Sequence, residues 1–326
     1  MDRINITPAI KKIKEIVDSH RLSDGVYCRF SEIREPNPYG TADAANILYS
    51  IGSFPRCPRE RGEWVKSLRS MQDPETGLYH EATHHPIHTT AHCMAALELF
   101  DAAPEHRAYA LEKYRGEAEM RAFLESLGWV DKPWSESHQG AGLYVALNLG
   151  GSDGVDEFNQ RYFEWLWENT DPDTGFWRKG AQDGTAPLAH HMAGSFHYLF
   201  NHEYAHMPLR YPDKVIDSCI EIWDGNNWND FAKYMGFIDI DWVFCMTRAG
   251  QQTCHRWEEA RICLEQAAER MTGMILDVGN GRIGNENDLH SVFGTVCCLA
   301  ELQRALRGSI ITEKPLKLVL DRRPFI

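Results

Sequence analysis

The sequence predicts an all-α fold: a closed α/α barrel of about six helical hairpins, with an inner and an outer ring of helices, in one domain over residues 1–326. Three observations carry this. An aromatic-rich helix followed by a turn ending in Gly recurs with a period of about 50 residues. A second helix, polar at its start and then small and apolar, recurs with the same period. Strand signals are nearly absent.

The first hairpin opens with MDRINITPAIKKIKEIVDSH, an amphipathic helix without the apolar run or cleavage site of a signal peptide. Its turn is DGVY, with Gly25, and its second helix is TADAANILYSIG from Thr41. The second hairpin has the clearest turn, WVKSLRSMQDPETGLY over Trp64–Tyr79, and continues as HTTAHCMAALELF from His88. Asp-Pro starts such a turn, and Gly77 accepts positive φ at its end. The third carries a longer lead-in, Ala103 to Glu125, expected to hold an extra turn or helix. It turns at LGWV, with Gly128, and continues from Ser135 as SESHQGAGLYVALNLG. The fourth repeats the strong turn as FEWLWENTDPDTGFW, with Gly175, and continues from Leu188 as LAHHMAGSFHYLF. The fifth turns at DGNNW, with Gly225, before FIDIDWVFCMTRAG from Phe237. The sixth turns at NGRI, with Gly281, before NDLHSVFGTVCCLAELQ from Asn287.

The first helix of each pair is amphipathic, whereas the second is apolar nearly all round and so belongs inside. The net charge of -13 repels phosphate backbones, which argues against nucleic acid. No stretch has the roughly 18 apolar residues of a membrane span. Nine scattered cysteines, several in apolar helical patterns, fit reduced thiols and a cytoplasmic location.

The segment Arg61–Tyr79, RGEWVKSLRSMQDPETGLY, resembles the aromatic-glutamine repeat of terpenoid cyclases through Arg61, Gly62, Trp64, Val65, Gln72, Gly77 and Tyr79. The resemblance implies the α/α toroid shared by terpenoid cyclases and protein prenyltransferases. It does not fix the chemistry. Cyclases that protonate an alkene carry Asp-x-Asp-Asp, where this chain has Asp239-Ile240-Asp241-Trp242. Prenyltransferases hold zinc with Asp, Cys and His; Asp288-Leu289-His290 matches the His part, without an Asp-x-Cys. Lanthionine-forming cyclases carry a Cys-His pair that Cys254-His255 matches in type.

In such a ring the inner helices start at one end, and their positive dipole ends suit a polar or anionic ligand. Asp43, His88, His92, Glu136, His138, His190, His191, Asp239, Asp241, Asp288 and His290 all lie at these starts. Asp241, Asp239, Glu136, His138 and His191 are the catalytic candidates. Asp239 and Asp241 diverge by about 200° on a helix, so one of them faces inward, and Asp241 is the expected acid. Asp43, His88, His92, His190, Asp288 and His290 are binding candidates, with Asp43 and Asp288 also suited to capping. Trp134, Tyr144, Trp177, Trp228 and Trp242 are candidates for stacking on a sugar ring, and Tyr39 lies near the same mouth. The loop Gly180–Pro187 and the stretch with His197, His202 and His206 form a candidate lid or further metal site.

These residues point to a small-molecule enzyme acting on a carbohydrate-like polar substrate, as a glycoside hydrolase or a lyase. A terpene cyclase-like or prenyltransferase-like enzyme using Asp241 as acid is the alternative, and a non-catalytic binding protein is a third reading. No cofactor is required by the pattern; zinc is the ion its His and carboxylate groups would suit.

Overall fold

In the computed structural model the structure describes residues 3–151, 153–225 and 234–325. Helices dominate. The hairpins pair α1 (Thr7–Ser19) with α2 (Pro38–Ser50), α3 (Pro58–Ser70) with α4 (Pro86–Glu98), and α5 (Glu117–Ser126) with α6 (Pro133–Leu149). They continue as α7 (Asp156–Asn169) with α8 (Leu188–Tyr204), α9 (Pro212–Asp224) with α10 (Phe237–Ala249), and α11 (Trp257–Leu276) with α12 (Leu289–Ala305). A short α13 spans Val319–Arg322, and a 3-10 helix over Tyr109–Arg115 fills the long lead-in before α5. Strand structure among the described residues is confined to two small pairs. β1 (Ile4–Asn5) runs parallel to β4 (Ile310–Ile311), and β2 (Arg21–Ser23) runs antiparallel to β3 (Val26–Tyr27).

The even-numbered helices from α2 to α12 are buried over most of their length, while α1, α3, α7 and α9 bury one face. Each even-numbered helix packs on the next, and α12 returns to α2, so the contacts form a closed circuit. Gly and Ala at the crossings permit this approach. A Cβ on Gly194 of α8 would sit 2.6 Å from the Pro133 carbonyl oxygen at the start of α6.

Several helices begin earlier than their polar clusters suggest, at Pro38, Pro86 and Pro133. Proline supplies a preset φ and lacks the amide that a first turn cannot use. Asn37 then caps α2, accepting from the Gly40 amide at 2.8 Å.

The strong turns are built as their sequence implies. Asp73 Oδ1 accepts from the Glu75 amide at 2.8 Å, and Asp171 Oδ1 from the Asp173 amide at 2.9 Å. Gly77 and Gly175 take φ of +72° and +75°. A Cβ on Gly77 would lie 1.6 Å from the Arg107 carbonyl oxygen, so this position requires glycine. Gln72 donates to the Gly77 and His106 carbonyls at 2.8 and 2.7 Å and accepts from the His106 amide at 2.9 Å. It thereby ties the turn to the connection that follows α4. Gly225 differs: its φ of -69° simply ends α9.

Charged groups tie together the C-terminal ends of the even-numbered helices. Arg248 of α10 pairs with Glu301 of α12, with Asp321 at 2.6 Å and with Glu203 of α8 at 3.4 Å. Arg322 donates to the Glu98 carbonyl and to Asp101, both at 2.8 Å. Arg323, wholly buried, donates to Asn46 of α2 at 2.9 Å.

Candidate functional site

At the opposite ends of these helices lies a cavity of about 330 Å³. His84, His85, His88, His138, His197 and His290 line it, with Asp241 as its one carboxylate among the described residues and Trp134 and Phe237 as its aromatic walls. Larger surface grooves exist, such as one of about 820 Å³ beside Arg61 and His106, but they gather no comparable acid–base set.

Behind the cavity, four side chains from three helices form a hydrogen-bonded chain. Asp43 Oδ1 lies 3.1 Å from His290 Nδ1 and 2.9 Å from His92 Nε2. The Tyr39 hydroxyl lies 3.3 Å from His290 Nε2 and 3.2 Å from His88 Nδ1. Tyr39 is held flat between imidazoles, stacked on His84 at 4.4 Å and on His92 at 4.3 Å. It sits one helical turn before Asp43 on α2, so the two share a face.

Donor counting fixes the protons. Burial holds His290 and His88 well below the ordinary imidazole pKa, with Arg29 adding to this for His290 and His138 for His88. Both rings are therefore neutral near pH 7, with one N–H each. With Asp43 as a carboxylate, His290 donates from Nδ1 and must accept at Nε2. The Tyr39 hydroxyl then donates to His290 and accepts from Nδ1–H of His88. The lone pair left over is Nε2 of His88, a lining residue of the cavity.

Asp241 is the opposite case. Burial, reinforced by Asp239, pushes its pKa well above the carboxylate range. Its Oδ2 has no hydrogen-bond partner among the described residues. It is a neutral acid in the same cavity as the neutral rings of His88 and His290.

A salt-bridged cluster closes the site on one side. Arg29, from the loop after β3, grips Asp288 with Nε and Nη2 at 2.8 and 3.0 Å. Its third nitrogen faces Thr83, His84 and, at 3.5 Å, Glu81. Burial opposes the charge on Glu81, but hydrogen bonds from His84 and Thr83 hold its pKa at about 2.

The residues anticipated from sequence divide into three groups. His88, Trp134, His138, Asp241 and His290 line the cavity, and Asp43 and His92 stand directly behind it. Asp288 caps α12, accepting from the His290 amide at 3.1 Å, and His190 packs on Trp134 at the rim, at 5.7 Å. The others point elsewhere. Asp239 caps its own helix by accepting from the Gly236 amide, and burial raises its pKa to about 7. Glu136 faces away, accepting from the Gly128 amide at 3.0 Å and pairing with Lys132. Tyr144 stacks on Tyr162 toward α7. Trp177 and Trp242 donate to the Leu166 and Cys219 carbonyls, both at 2.8 Å, as packing residues. His191 is buried outside the lining, with neither ring nitrogen partnered. Trp228 lies outside the described residues. His202 is buried against Trp177 while His206 is exposed, so this pair does not converge.

Arg29, Thr83, His84, His85 and Phe237 join the site without having been singled out. Glu81-Ala82-Thr83-His84-His85 runs straight into Pro86, and that polar run before a helix-opening proline marked a loop at the mouth. Asp43, His92 and His290 offer donor atoms within 4.8 Å of one another, the geometry of a three-ligand metal site. Comparison with protein-family models, curated proteins and solved structures finds no match to this chain.

Proposed function

We propose that the circuit of even-numbered helices is the inner ring of an α/α toroid, and that its cavity is the active site of an acid–base enzyme for a small, carbohydrate-like substrate. The single observation that carries this reading is the chain Asp43–His290–Tyr39–His88. It spends two imidazoles and a phenol on presenting one lone pair to an enclosed polar space.

The chemistry that suits it is elimination. His88 Nε2 takes a proton from carbon, and the electron pair forms a carbon–carbon double bond as the carbon–oxygen bond breaks. Asp241 gives its proton to the departing oxygen. Tyr39, His290 and Asp43 stabilise the imidazolium formed on His88. A paired-carboxylate hydrolase fits less well, because Asp241 is the one carboxylate of the lining among the described residues and Asp239 is engaged as a cap.

The test is a screen of uronate-containing and neutral oligosaccharides for unsaturated products, repeated with His88→Gln and Asp241→Asn. Each variant should lose about 10²- to 10⁴-fold in rate. Turnover that survives both substitutions would sink the assignment. Isoprenyl diphosphates belong in the same screen, because a buried neutral Asp241 also suits a terpene cyclase-like or prenyltransferase-like acid. Binding without turnover of any compound would favour a binding protein.

A zinc ion between Asp43, His92 and His290 is the second reading, favoured by the closeness of their donor atoms and by an unpartnered Asp43 Oδ2. Charge weighs against it. Arg29 and Arg323 both act on Asp43 and would repel a divalent cation there, while Asp288 and Glu81 are engaged by Arg29. Metal analysis of the purified protein should find no stoichiometric zinc.

A further inference from the structure

The proposed base must keep one ring edge on Tyr39 and the other toward the cavity. Tyr39 holds only the Nδ1 edge of His88. The ring is met from another side by Phe325, edge to face, with centroids 4.6 Å apart and planes at 68°. The same phenyl ring lies 6.1 Å from His197 and 5.3 Å from Phe200. One side chain thus backs two cavity imidazoles that come from α4 and α8.

Its backbone is unusual. Phe325 has a φ of +90°, a region that side chains other than glycine rarely adopt. Such conformations persist where the surroundings over-determine them, and they gather at functional sites. The restraints here are specific. Asp321 is held by Arg248, Arg322 by Glu98 and Asp101, and Arg323 by Asn46 and by its own bond to the Pro324 carbonyl at 3.1 Å. Arg323 also lies over the ring of Phe293, at 5.4 Å. The chain is thereby led from the ion-paired ends of the helices to the back of the imidazole cluster, where Phe325 is wholly buried.

We propose that Phe325 is a positioning residue, fixing the ring of His88 so that its free nitrogen faces the substrate. This rests on the reading of His88 as the base. The aromatic edge and the apolar surface both matter. They offer His88 no hydrogen-bond partner on that side, so the ring keeps its one N–H on Tyr39.

The test uses the full chain labelled with ¹⁵N and reads the tautomer of each histidine by long-range proton–nitrogen correlation. In the unaltered protein His88 should appear in the Nδ1–H form. Phe325→Ala should bring His88 into a mixture of both tautomers, and Phe325→Leu, which keeps apolar volume, should restore most of the original form. His202, packed in the core against Trp177, is the internal control and should not change. A folded Phe325→Ala protein with an unaltered His88 signature overturns the proposal. If Phe325→Ala does not fold, Phe325→Leu decides, since a small but measurable shift is expected there and none would overturn it. A His88 ring found as Nε2–H in the unaltered protein ends the relay reading alone. The positioning role is then still judged by whether the variants disturb that form.

Discussion

The two ends of the even-numbered helices bury polar groups in opposite ways. At the C-terminal ends, Arg248, Arg322 and Arg323 meet Glu203, Glu301, Asp321, Glu98, Asp101 and Asn46, although Arg248 Nε, Arg323 Nη2 and Glu98 Oε2 have no hydrogen-bond partner among the described residues. At the N-terminal ends, six imidazoles and a carboxyl line a hollow, and Asp241 Oδ2 and His138 Nε2 have no hydrogen-bond partner among the described residues. The same helices supply both. Ion pairs across helices dominate one end, and imidazoles around a cavity dominate the other.

The contrast is broken most severely at the ion-paired end. Arg248→Ala leaves Glu301 buried without its cation and should cost about 3–5 kcal/mol. Asp241→Asn, at the other end, should change stability by less than about 1 kcal/mol, because Oδ2 has no hydrogen-bond partner among the described residues to lose. Urea unfolding of the two variants compares them directly, and equal losses would erase the distinction.

Acidification attacks the cavity end instead. Burial lowers two lining rings, His138 to about 3 and His197 to about 4, from the ordinary 6.5, and lowers His202, in the core beside Trp177, to about 4. The unfolded chain therefore binds more protons in that interval, and the stability from these neutral rings is whole above about pH 6.5 and lost as pH falls toward 4. Asp239, raised to about 7, acts in reverse: its contribution is whole below the ordinary 3.8 and lost as pH rises through 7. The imidazoles outnumber it and Asp241. Lowering the pH from about 7 to about 4.5 should cost about 2–3 kcal/mol in net stability. A urea midpoint that stays flat over this range would contradict the assignment of neutral rings.

Smaller effects sharpen the picture. Tyr39→Phe strands His88 Nδ1 and His290 Nε2 and should cost about 1–2 kcal/mol, read as a shift in urea midpoint. Trp134→Ala, at the half-exposed rim, should cost no more than about 0.5–1 kcal/mol of stability and should weaken sugar binding in calorimetry.

Much of the helical framework was legible because two periodic signals coincide: turn glycines such as Gly77 and Gly175, and apolar helices opened by polar clusters. Asp43, His92 and His290 stood out because they lie in the polar clusters that open those helices. Phase also separates neighbours. His138 turns inward while Glu136, two residues earlier, turns to Gly128, by the same angular rule that separates Asp241 from Asp239. Trp177 and Trp242 were less tractable. An indole suits a sugar face and a helix interface equally, and the choice depends on which carbonyl its N–H meets. Arg29 and Phe325 gave no signal, since each lies in irregular chain whose path is set by distant contacts.

The bond between Asp43 and His290 joins positions separated by 247 residues, and it exists only because α12 lies against α2. A chain being synthesised would thus hold nearly all parts of the proposed site long before they could act together. Competence should appear in a single late step, when the last helix docks. Cutting the circuit at a surface loop and rejoining the ends elsewhere should preserve the site, provided all six helices still meet.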